Sequence, residues 1–409
     1  MKTVAIIGAG AAGCFCAALL REWAPELAVT VFEAGSKPMA KLAITGGGRC
    51  NLTNDFLGIK SLNEAYPRGE RVMKRALKAF SNEDTIAWFT AHGVPCVLQE
   101  DHCWFPQSQS AMDIVHTLLR ALKGADVRLN LPVTHICHSE RSEESVSDNR
   151  SFVVHTPQGD NTFDFVVVTT GGAAKGLPFL EGLGLEMVPP VPSLFTFNIP
   201  DKSLTGLMGL VVEAQIGLQG TPFKAEGPML ITDWGLSGPA TLKLSSHAAR
   251  YLAENSYKGT VAINWLSRSE NGVRDWLQKT ASDNPQKLLS SVHPVQQRLW
   301  EHLLDRAGLR KDLRWAELGS KGLNRLTAVL TNDGYPLSGK SKFREEFVTA
   351  GGVALSNIDL NTLESKQHPG LFFAGEVLDI DAITGGFNLQ AAWSTAYLCA
   401  KAIEEHIIE

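Results

Sequence analysis

The sequence lacks the features that would place the chain in a membrane or in an oxidising compartment. No apolar run reaches the ~18 residues that a membrane-spanning helix needs. Residues 1–10, MKTVAIIGAG, are too short and too rich in glycine for a signal peptide. The seven cysteines include no C-x-x-C pair, so they indicate neither a disulfide framework nor a zinc site nor a redox-active dithiol. We therefore expect a cytoplasmic protein with no membrane partner and no metal.

A strong charge of one sign is also missing. The net charge of −5 gives no general attraction to nucleic acid or to anionic membranes, which leaves only local basic patches for such partners. No Ser–His–Asp set, metal-ligand cluster or carboxylate pair is evident in the sequence. A composition of 44% hydrophobic and 20% charged residues is typical of a globular protein. A length of 409 residues predicts about two or three domains.

What the sequence does contain is a strand–turn–helix–strand unit at its start. Thr3–Ile7 is a short apolar run typical of a buried parallel strand. Residues 8–13 then form a G-x-G-x-x-G pattern that opens a helix. The first glycine allows the tight turn, the second lets a pyrophosphate approach the backbone, and the third lets helix and strand pack closely. A second strand, Ala28–Phe32, ends at Glu33, whose carboxylate is placed to accept the ribose hydroxyls of an adenosine.

A second glycine-rich stretch, which we call the triple-glycine segment, covers residues 41–54 and reads KLAITGGGRCNLTN. Three consecutive glycines are costly to fix in a folded loop, so they indicate a place where backbone approaches a ligand. Arg49 offers a cation, and Asn51 offers an amide. Arg49 has three open roles: pairing with the pyrophosphate, holding a substrate carbonyl or anion, or pairing with an acid elsewhere in the fold.

The G-x-G-x-x-G pattern at residues 8–13 is called the fingerprint below. Together with Glu33, Lys41 and TGGGRCNLTN it resembles the BaiN/RdsA-like family of FAD-dependent oxidoreductases, which are flavoproteins with a glutathione-reductase-type FAD fold. The resemblance runs nearly end to end. It implies that the turn at Thr170–Gly172 returns the chain to the adenosine side. It also implies that Glu376, where relatives usually have Asp, meets the ribityl chain. The last helix would aim N–H groups near Asn388 at the flavin, where positive potential favours the reduced form.

The predicted fold class is α/β, with a Rossmann-type FAD-binding domain and a β-meander, interrupted by an inserted β-rich domain that carries a small helical subdomain. The predicted limits are 1–190 and 343–409 for the FAD-binding domain and 191–342 for the insert, β-rich over 191–268 and helical over 269–330. The meander is assigned to Val127–Leu131, Val133–Cys137, Phe152–Thr156 and Thr162–Thr169. The polar stretch 138–150 is predicted to be a flexible hairpin insertion.

The fingerprint and the resemblance together give the candidate site. The candidate cofactor contacts are Gly8, Ala9, Gly10, Ala11, Ala12, Gly13, Glu33, Lys41, Gly46, Gly47, Gly48, Arg49, Asn51, Thr170, Gly171, Gly375, Glu376, Gly385, Gly386, Phe387, Asn388 and Leu389. Arg49 and Asn388 are also the candidate catalytic residues. The sequence holds one complete dinucleotide fingerprint, so NAD(P)H is expected only as a transient reductant.

Three hypotheses for the function follow. The leading one is an FAD-dependent oxidoreductase that reduces a conjugated C=C bond in a small molecule or in RNA, with uridine in ribosomal RNA as the candidate that the resemblance implies. The alternatives are an O2-dependent oxidase of a small amine or amino ketone, and a non-catalytic, FAD-containing RNA-binding protein. Basic residues in the helical part form either a solvated face or a phosphate-tracking surface. They are Arg298, Arg306, Arg310, Lys311, Arg314, Lys321 and Arg325. The oligomeric state is not indicated.

Overall fold

The computed structural model describes residues 1–139, 151–172, 176–340 and 348–408. The contacts of the chain divide it into two compact units. The first comprises Met1–Pro192 and Val348–Glu409, and the second comprises Ser193–Phe347. From residue 140 onward, the predicted insertion at 138–150 lies outside the described residues. Within them, no helix combines the length and the apolar character that crossing a bilayer demands.

The first unit is built on a five-stranded parallel sheet. Its strands lie in the order Leu371–Phe373, Phe165–Val168, Thr3–Ile7, Ala28–Phe32 and Asp126–Arg128. Every neighbouring pair is parallel. The central strands are apolar and almost wholly buried, as expected when both faces of a parallel sheet are covered. This sheet confirms the predicted Rossmann-type domain.

Seven helices accompany this sheet in the described part of the first unit. They are Ala11–Trp23, Ala40–Gly48, Leu62–Ala65, Glu70–Ala79, Asn82–Ala91, Ala111–Ala121 and Phe387–Ile408. Aromatic side chains join the first helix to the last, since the ring centroids of Phe15 and Trp393 are 5.4 Å apart. Short 3-10 turns occupy Pro178–Leu180, Leu355–Asn357 and Gly375–Val377.

The meander is present, but one strand predicted for it lies elsewhere and another is divided between two sheets. Its three antiparallel strands are His135–His138, Phe152–Thr156 and Gly159–Phe163. The prediction for residues 127–131 was wrong in its pairing, because Asp126–Arg128 forms the edge of the parallel sheet. The run predicted at 162–169 is broken at Asp164, whose carboxylate accepts from the Thr3 N–H at 2.8 Å and so ties the turn to the first strand. Phe165–Val168 beyond it belongs to the parallel sheet.

Two further small sheets complete the first unit. One joins Thr53–Asn54, Cys103–Pro106 and Cys96–Leu98, and the other pairs Met187–Ser193 with Val348–Val353. The former pairs the end of the triple-glycine segment with the strand that carries Phe105, Thr53 opposite Trp104 and Asn54 opposite Cys103.

The second unit contains a seven-stranded sheet with helices. The strand order is Asp333–Leu337, Gly259–Asn264, Val211–Leu218, Lys224–Ile231, Gly235–Ser237, Phe197–Asn198 and Gly339–Lys340. All pairings are antiparallel. The helices are Lys202–Thr205, Pro239–His247, Ala249–Glu254, Glu270–Asp283, Gln297–Arg306 and Gly319–Asn332, with 3-10 turns at Leu289–Ser291 and Trp315–Glu317. Buried Trp265, Trp300 and Trp315 fill its core. The inserted β-rich domain with a helical part is thereby confirmed.

Candidate functional site

The three glycines of the fingerprint have different surroundings. Gly8 has a φ of +106°, and a Cβ there would lie 2.7 Å from the carbonyl oxygen of Thr169. A Cβ on Gly13 would lie 2.0 Å from the carbonyl oxygen of Gly8, so the strand and the helix could not pack as they do. A Cβ on Gly10, in contrast, would meet nothing within 4 Å. The fold therefore requires the outer two glycines, and the middle one faces open space at the N-terminus of helix Ala11–Trp23, where a phosphate group fits.

Three of the predicted segments meet at the carboxyl edge of the parallel sheet. The Thr169 hydroxyl donates to the carbonyl oxygens of Ile7 and Gly8, at 3.1 and 2.8 Å. The Ala374 N–H donates to the Val168 carbonyl oxygen at 3.0 Å. These bonds place the fingerprint, the turn at Thr170–Gly171 and the turn at Gly375–Glu376 side by side. Ligands of open α/β sheets bind at this edge.

Glu33 stands at the end of the second strand, as predicted, and its carboxylate is bonded to the backbone. One oxygen accepts from the Ala9 N–H at 2.9 Å, and the other accepts from the Gly35 N–H at 2.7 Å. A carboxylate has about four lone-pair positions, so these bonds leave room for ribose hydroxyls. Glu33 therefore supports the glycine turn, and its contact with ribose stays a prediction.

The triple-glycine segment begins as a helix and ends in a left-handed turn. Thr45 leaves helical geometry, and Gly46, Gly47 and Gly48 follow with φ of +59°, +69° and +80°. Residues other than glycine rarely adopt three such backbone conformations in a row. The glycines are thus explained by the backbone path, and the turn exposes Arg49 at its end.

Arg49 is held by an aromatic ring. Its guanidinium carbon lies 4.6 Å from the centroid of Phe105, and its Nε donates to the Gly46 carbonyl oxygen at 3.4 Å. Among the described residues, no carboxylate lies within ion-pair distance of it. The structure therefore gives no support to the salt-partner role, while the pyrophosphate and substrate roles both stay predictions.

Asn51 and Asn54 connect this segment to the start of the last helix. The Asn54 amide donates to the Gly385 carbonyl oxygen at 3.0 Å. The Asn51 amide, in the orientation that satisfies both partners, donates to the Thr53 carbonyl oxygen at 3.1 Å and accepts from the Gly386 N–H at 3.2 Å. The side chain of Asn51 therefore binds protein backbone, so any contact it makes with a cofactor adds to this role.

The last helix, Phe387–Ile408, presents free N–H groups at its N-terminus. The N–H groups of Phe387, Asn388 and Leu389 precede the first backbone bond of the helix, which Gln390 makes to Gly386 at 3.0 Å. Within the described residues they make no hydrogen bond. The side chain of Asn388 points to the preceding loop, where it accepts from the Ala382 N–H at 2.9 Å and donates to the Ala382 carbonyl oxygen at 3.0 Å. Its backbone N–H, and not its amide, is thus the group available to a ligand.

A buried polar network that the sequence did not reveal anchors this helix. The Gln390 side-chain oxygen accepts from the hydroxyls of Thr53 at 2.5 Å and Thr85 at 3.0 Å, and its amide donates to the Ser394 hydroxyl at 2.8 Å. All four residues are fully buried. The sequence signal that could have indicated this network is the presence of polar Gln390 and Ser394 on the buried face of the helix. The network fixes the helix start against the end of the triple-glycine segment.

Two acids lie near the Gly375 turn. Glu376 accepts from the Thr349 N–H at 2.6 Å, and a Cβ on Gly172 would lie 2.6 Å from its carboxylate. Burial raises the pKa of the Glu376 carboxyl, although that N–H and the charge of Lys41 oppose the shift. Asp381 is wholly buried and is paired with Arg68. This ion pair fixes the loop that Asn388 holds.

These residues fit an extended dinucleotide. The open space at Gly10 and the helix behind it suit the pyrophosphate. The exposed left-handed turn and the free N–H groups at the last helix suit the flavin end. Both groups of residues belong to the first unit.

Comparison with known proteins gives full-length relatives. The chain is 30% identical over 413 residues to the ribosomal RNA dihydrouridine synthase of Haemophilus influenzae, covering 97% of each chain. It is 27% identical over 421 residues to the 3-dehydro-bile acid delta(4,6)-reductase of Clostridium scindens, covering 99% of this chain and 100% of that protein.

Among solved structures, the 3-ketosteroid delta1-dehydrogenase of Sterolibacterium denitrificans matches with a TM-score of 0.51 over 99% of this chain and all of that one. At 13% identity this likeness shows the fold alone. The family model "HI0933-like protein Rossmann domain" matches residues 2–402. The predicted resemblance and the predicted FAD-dependent oxidoreductase are confirmed, and the chain belongs to the HI0933-like Rossmann family.

Proposed function

We propose that this oxidoreductase reduces a C=C bond conjugated to a carbonyl group, and that its substrate is uridine in ribosomal RNA, which becomes dihydrouridine. The observation that carries the proposal is the 30% identity to a ribosomal RNA dihydrouridine synthase over 97% of both chains. The relative named for bile acid delta(4,6) reduction supports the same bond type, since its 3-oxo group would be conjugated with such double bonds.

FAD, held by the residues described above, supplies the hydride-transfer chemistry. The chain supplies position and charge. When hydride reaches the far carbon of a conjugated C=C bond, negative charge develops on the carbonyl oxygen. A fixed guanidinium stabilises such an oxyanion, and Arg49 is an exposed guanidinium that lies against the ring of Phe105.

The free N–H groups of Asn388 and Leu389 are assigned to the flavin edge. They carry the positive end of the helix dipole, which favours negative charge there. Asn388 keeps that end in place through its bonds to Ala382. We assign NAD(P)H as a transient reductant, because the chain has one dinucleotide fingerprint.

The basic residues of the second unit give no support to a continuous RNA-tracking surface. Arg306 pairs with Asp333 at 2.5 Å, Arg310 with Asp312 at 2.5 Å, and Lys311 with Glu301 at 3.4 Å. Acids thus neutralise three of the seven cations, as in a solvated face. We therefore do not assign RNA recognition to this basic surface, and we expect contacts with the shape of the RNA and with its unpaired bases.

The test is nucleoside mass spectrometry of ribosomal RNA from a strain in which the gene is deleted. We expect dihydrouridine to fall, and to return with the wild-type gene but not with Arg49→Ala. Unchanged dihydrouridine in the deletion strain would refute the RNA substrate.

Stopped-flow mixing of the holoprotein with NADPH and then with O2 distinguishes the alternatives. Fast reoxidation with peroxide release would favour an oxidase, and a flavin untouched by any donor would favour a binding protein.

A further inference from the structure

Three side chains with complementary chemistry lie together on the meander of the first unit. The strand register pairs His135 with His155 and pairs His155 with Asp160. Cys137 is two residues along the same strand from His135, so it shares that face of the sheet and lies diagonal to His155. The arrangement uses three different strands, which is why the sequence does not show it.

The distances are those of a nucleophile, a base and an orienting acid. The Cys137 sulfur lies 3.3 Å from Nε2 of His155, and Nδ1 of His155 lies 2.7 Å from the Asp160 carboxylate. A carboxylate can only accept, so Nδ1 carries the proton in the neutral ring and Nε2 is left to accept from the thiol. This is the order that activates cysteine and serine nucleophiles.

The three side chains are each at least partly exposed to solvent. The side chain of His155 is 31% exposed, and that of Asp160 is 61% exposed. Cys137 is half-buried. Within the described part of the chain these residues do not form a group able to hold a metal ion.

The other cysteines lack this environment. Five of them are buried: Cys14, Cys16, Cys50, Cys103 and Cys399. Cys96 is half-buried like Cys137, but its thiol donates to the Val94 carbonyl oxygen at 3.4 Å, and burial raises its pKa to about 11. Cys96 therefore provides an internal control of similar exposure without a base.

We propose that Cys137 is a nucleophilic modification site for low-molecular-weight disulfides, with His155 as general base and Asp160 as the group that orients it. The Cys137 sulfur attacks one sulfur of the disulfide, so a new S–S bond forms while the old one breaks. The thiol proton passes to Nε2 of His155 and then to the departing thiolate, which leaves as a free thiol. The product is a mixed disulfide at Cys137, and a small thiol reverses the reaction by the same proton path. This site is independent of the proposed reduction of a C=C bond.

The test exposes the FAD-loaded full chain to glutathione disulfide and follows each cysteine by peptide mass spectrometry over time. We expect Cys137 to be modified first, well ahead of Cys96. His155→Gln should lower the rate of Cys137 modification by about 10²-fold, which is the lower end of the contribution of a general base. Asp160→Asn should slow it less, since the ring stays in reach of the sulfur.

His135→Gln is the matched control. Its ring centroid lies 5.5 Å from that of His155 on the same face, but no bond from it to the Cys137 sulfur is present in the described residues. It should leave the rate unchanged, as should Cys96→Ala. Flavin absorbance checks that each variant is folded. Equal rates at Cys137 and Cys96, or a Cys137 rate that His155→Gln does not change, would overturn the proposal.

Discussion

Gly10→Val is the sharpest test of the cofactor site, because the structure predicts that it spares the fold and blocks the ligand. Gly10 has φ −84° and ψ −164°, an extended conformation that valine adopts without strain. The valine Cβ would have no other atom of the protein within 4 Å. A pyrophosphate at the helix N-terminus would occupy that same space, so valine and phosphate exclude each other.

The expected changes in stability follow from the position of Gly10 at the start of the helix. Gly10 is the N-cap of helix Ala11–Trp23 and makes no side-chain cap bond, so valine there costs the protein about 1 kcal/mol or less. Loss of ligand costs more, because a cofactor at 100 times its Kd stabilises the folded state by about 2.7 kcal/mol. We therefore expect the variant and the apo wild type to unfold at similar temperatures, and only the wild type to gain stability on adding FAD.

The assay is thermal unfolding with and without added FAD, together with flavin absorbance of the purified protein. Gly13→Ala is the matched control. Its added Cβ would lie 2.0 Å from a backbone oxygen, so this smaller change should damage folding itself. Stoichiometric FAD in Gly10→Val would refute the assignment of this turn to the pyrophosphate.

Four further predictions use other parts of the first unit. Glu33→Gln should weaken FAD binding by ~1.5–3 kcal/mol, one hydrogen bond to a charged group, and Glu33→Arg should abolish it; equal affinities by fluorescence titration would place Glu33 outside the site. Arg49→Ala should retain FAD and lower turnover by about 10²-fold if it holds the substrate; FAD loss would indicate the pyrophosphate role, and no change in either would exclude both. Gln390→Leu should lower the free energy of unfolding in urea by ~1–3 kcal/mol, because buried hydroxyls lose their acceptor. Asp164→Asn should lower the stability of the protein at neutral pH but not in acid below the pKa of the folded state. Burial alone would raise the pKa of Asp164, but the bonds from Thr3 and Lys2 lower it. Its contribution to stability is therefore present above the unfolded pKa and is lost as pH falls through the folded pKa. An acid-induced transition that Asp164→Asn leaves unchanged would contradict this.

The parallel sheet could be predicted because its strands carry their own signal. Thr3–Ile7 and Ala28–Phe32 are apolar runs bounded by turn residues, and the structure has them with the predicted limits. Strand pairing was harder. Residues 126–128 and 135–138 look alike as short strands, but one is the edge of the parallel sheet and the other begins the meander. Pairing is a long-range property, so the local pattern could not separate them.

The candidate site shows a similar limit at its amide side chains. The sequence marks Asn51 and Asn388 as residues near the cofactor, and the structure puts both beside the predicted turns. It also shows that their amides bind Gly386 and Ala382. A carboxamide bonds equally well to ligand and to backbone, so residue type alone could not decide between contact and support.

The support residues imply that cofactor affinity and local stability are linked. The free N–H groups of the last helix serve a ligand only if the helix start is fixed before binding. Gln390 fixes the helix start through its hydrogen bond with Thr53, and Asn54 fixes the Gly385 turn through its hydrogen bond with the Gly385 carbonyl oxygen. These bonds join the end of the triple-glycine segment to the last helix and to the turn before it, more than 300 residues away in sequence. Removing any of them should weaken FAD binding without touching FAD. A Gln390→Leu protein that unfolds earlier but binds FAD with wild-type affinity would show that the network serves the fold alone.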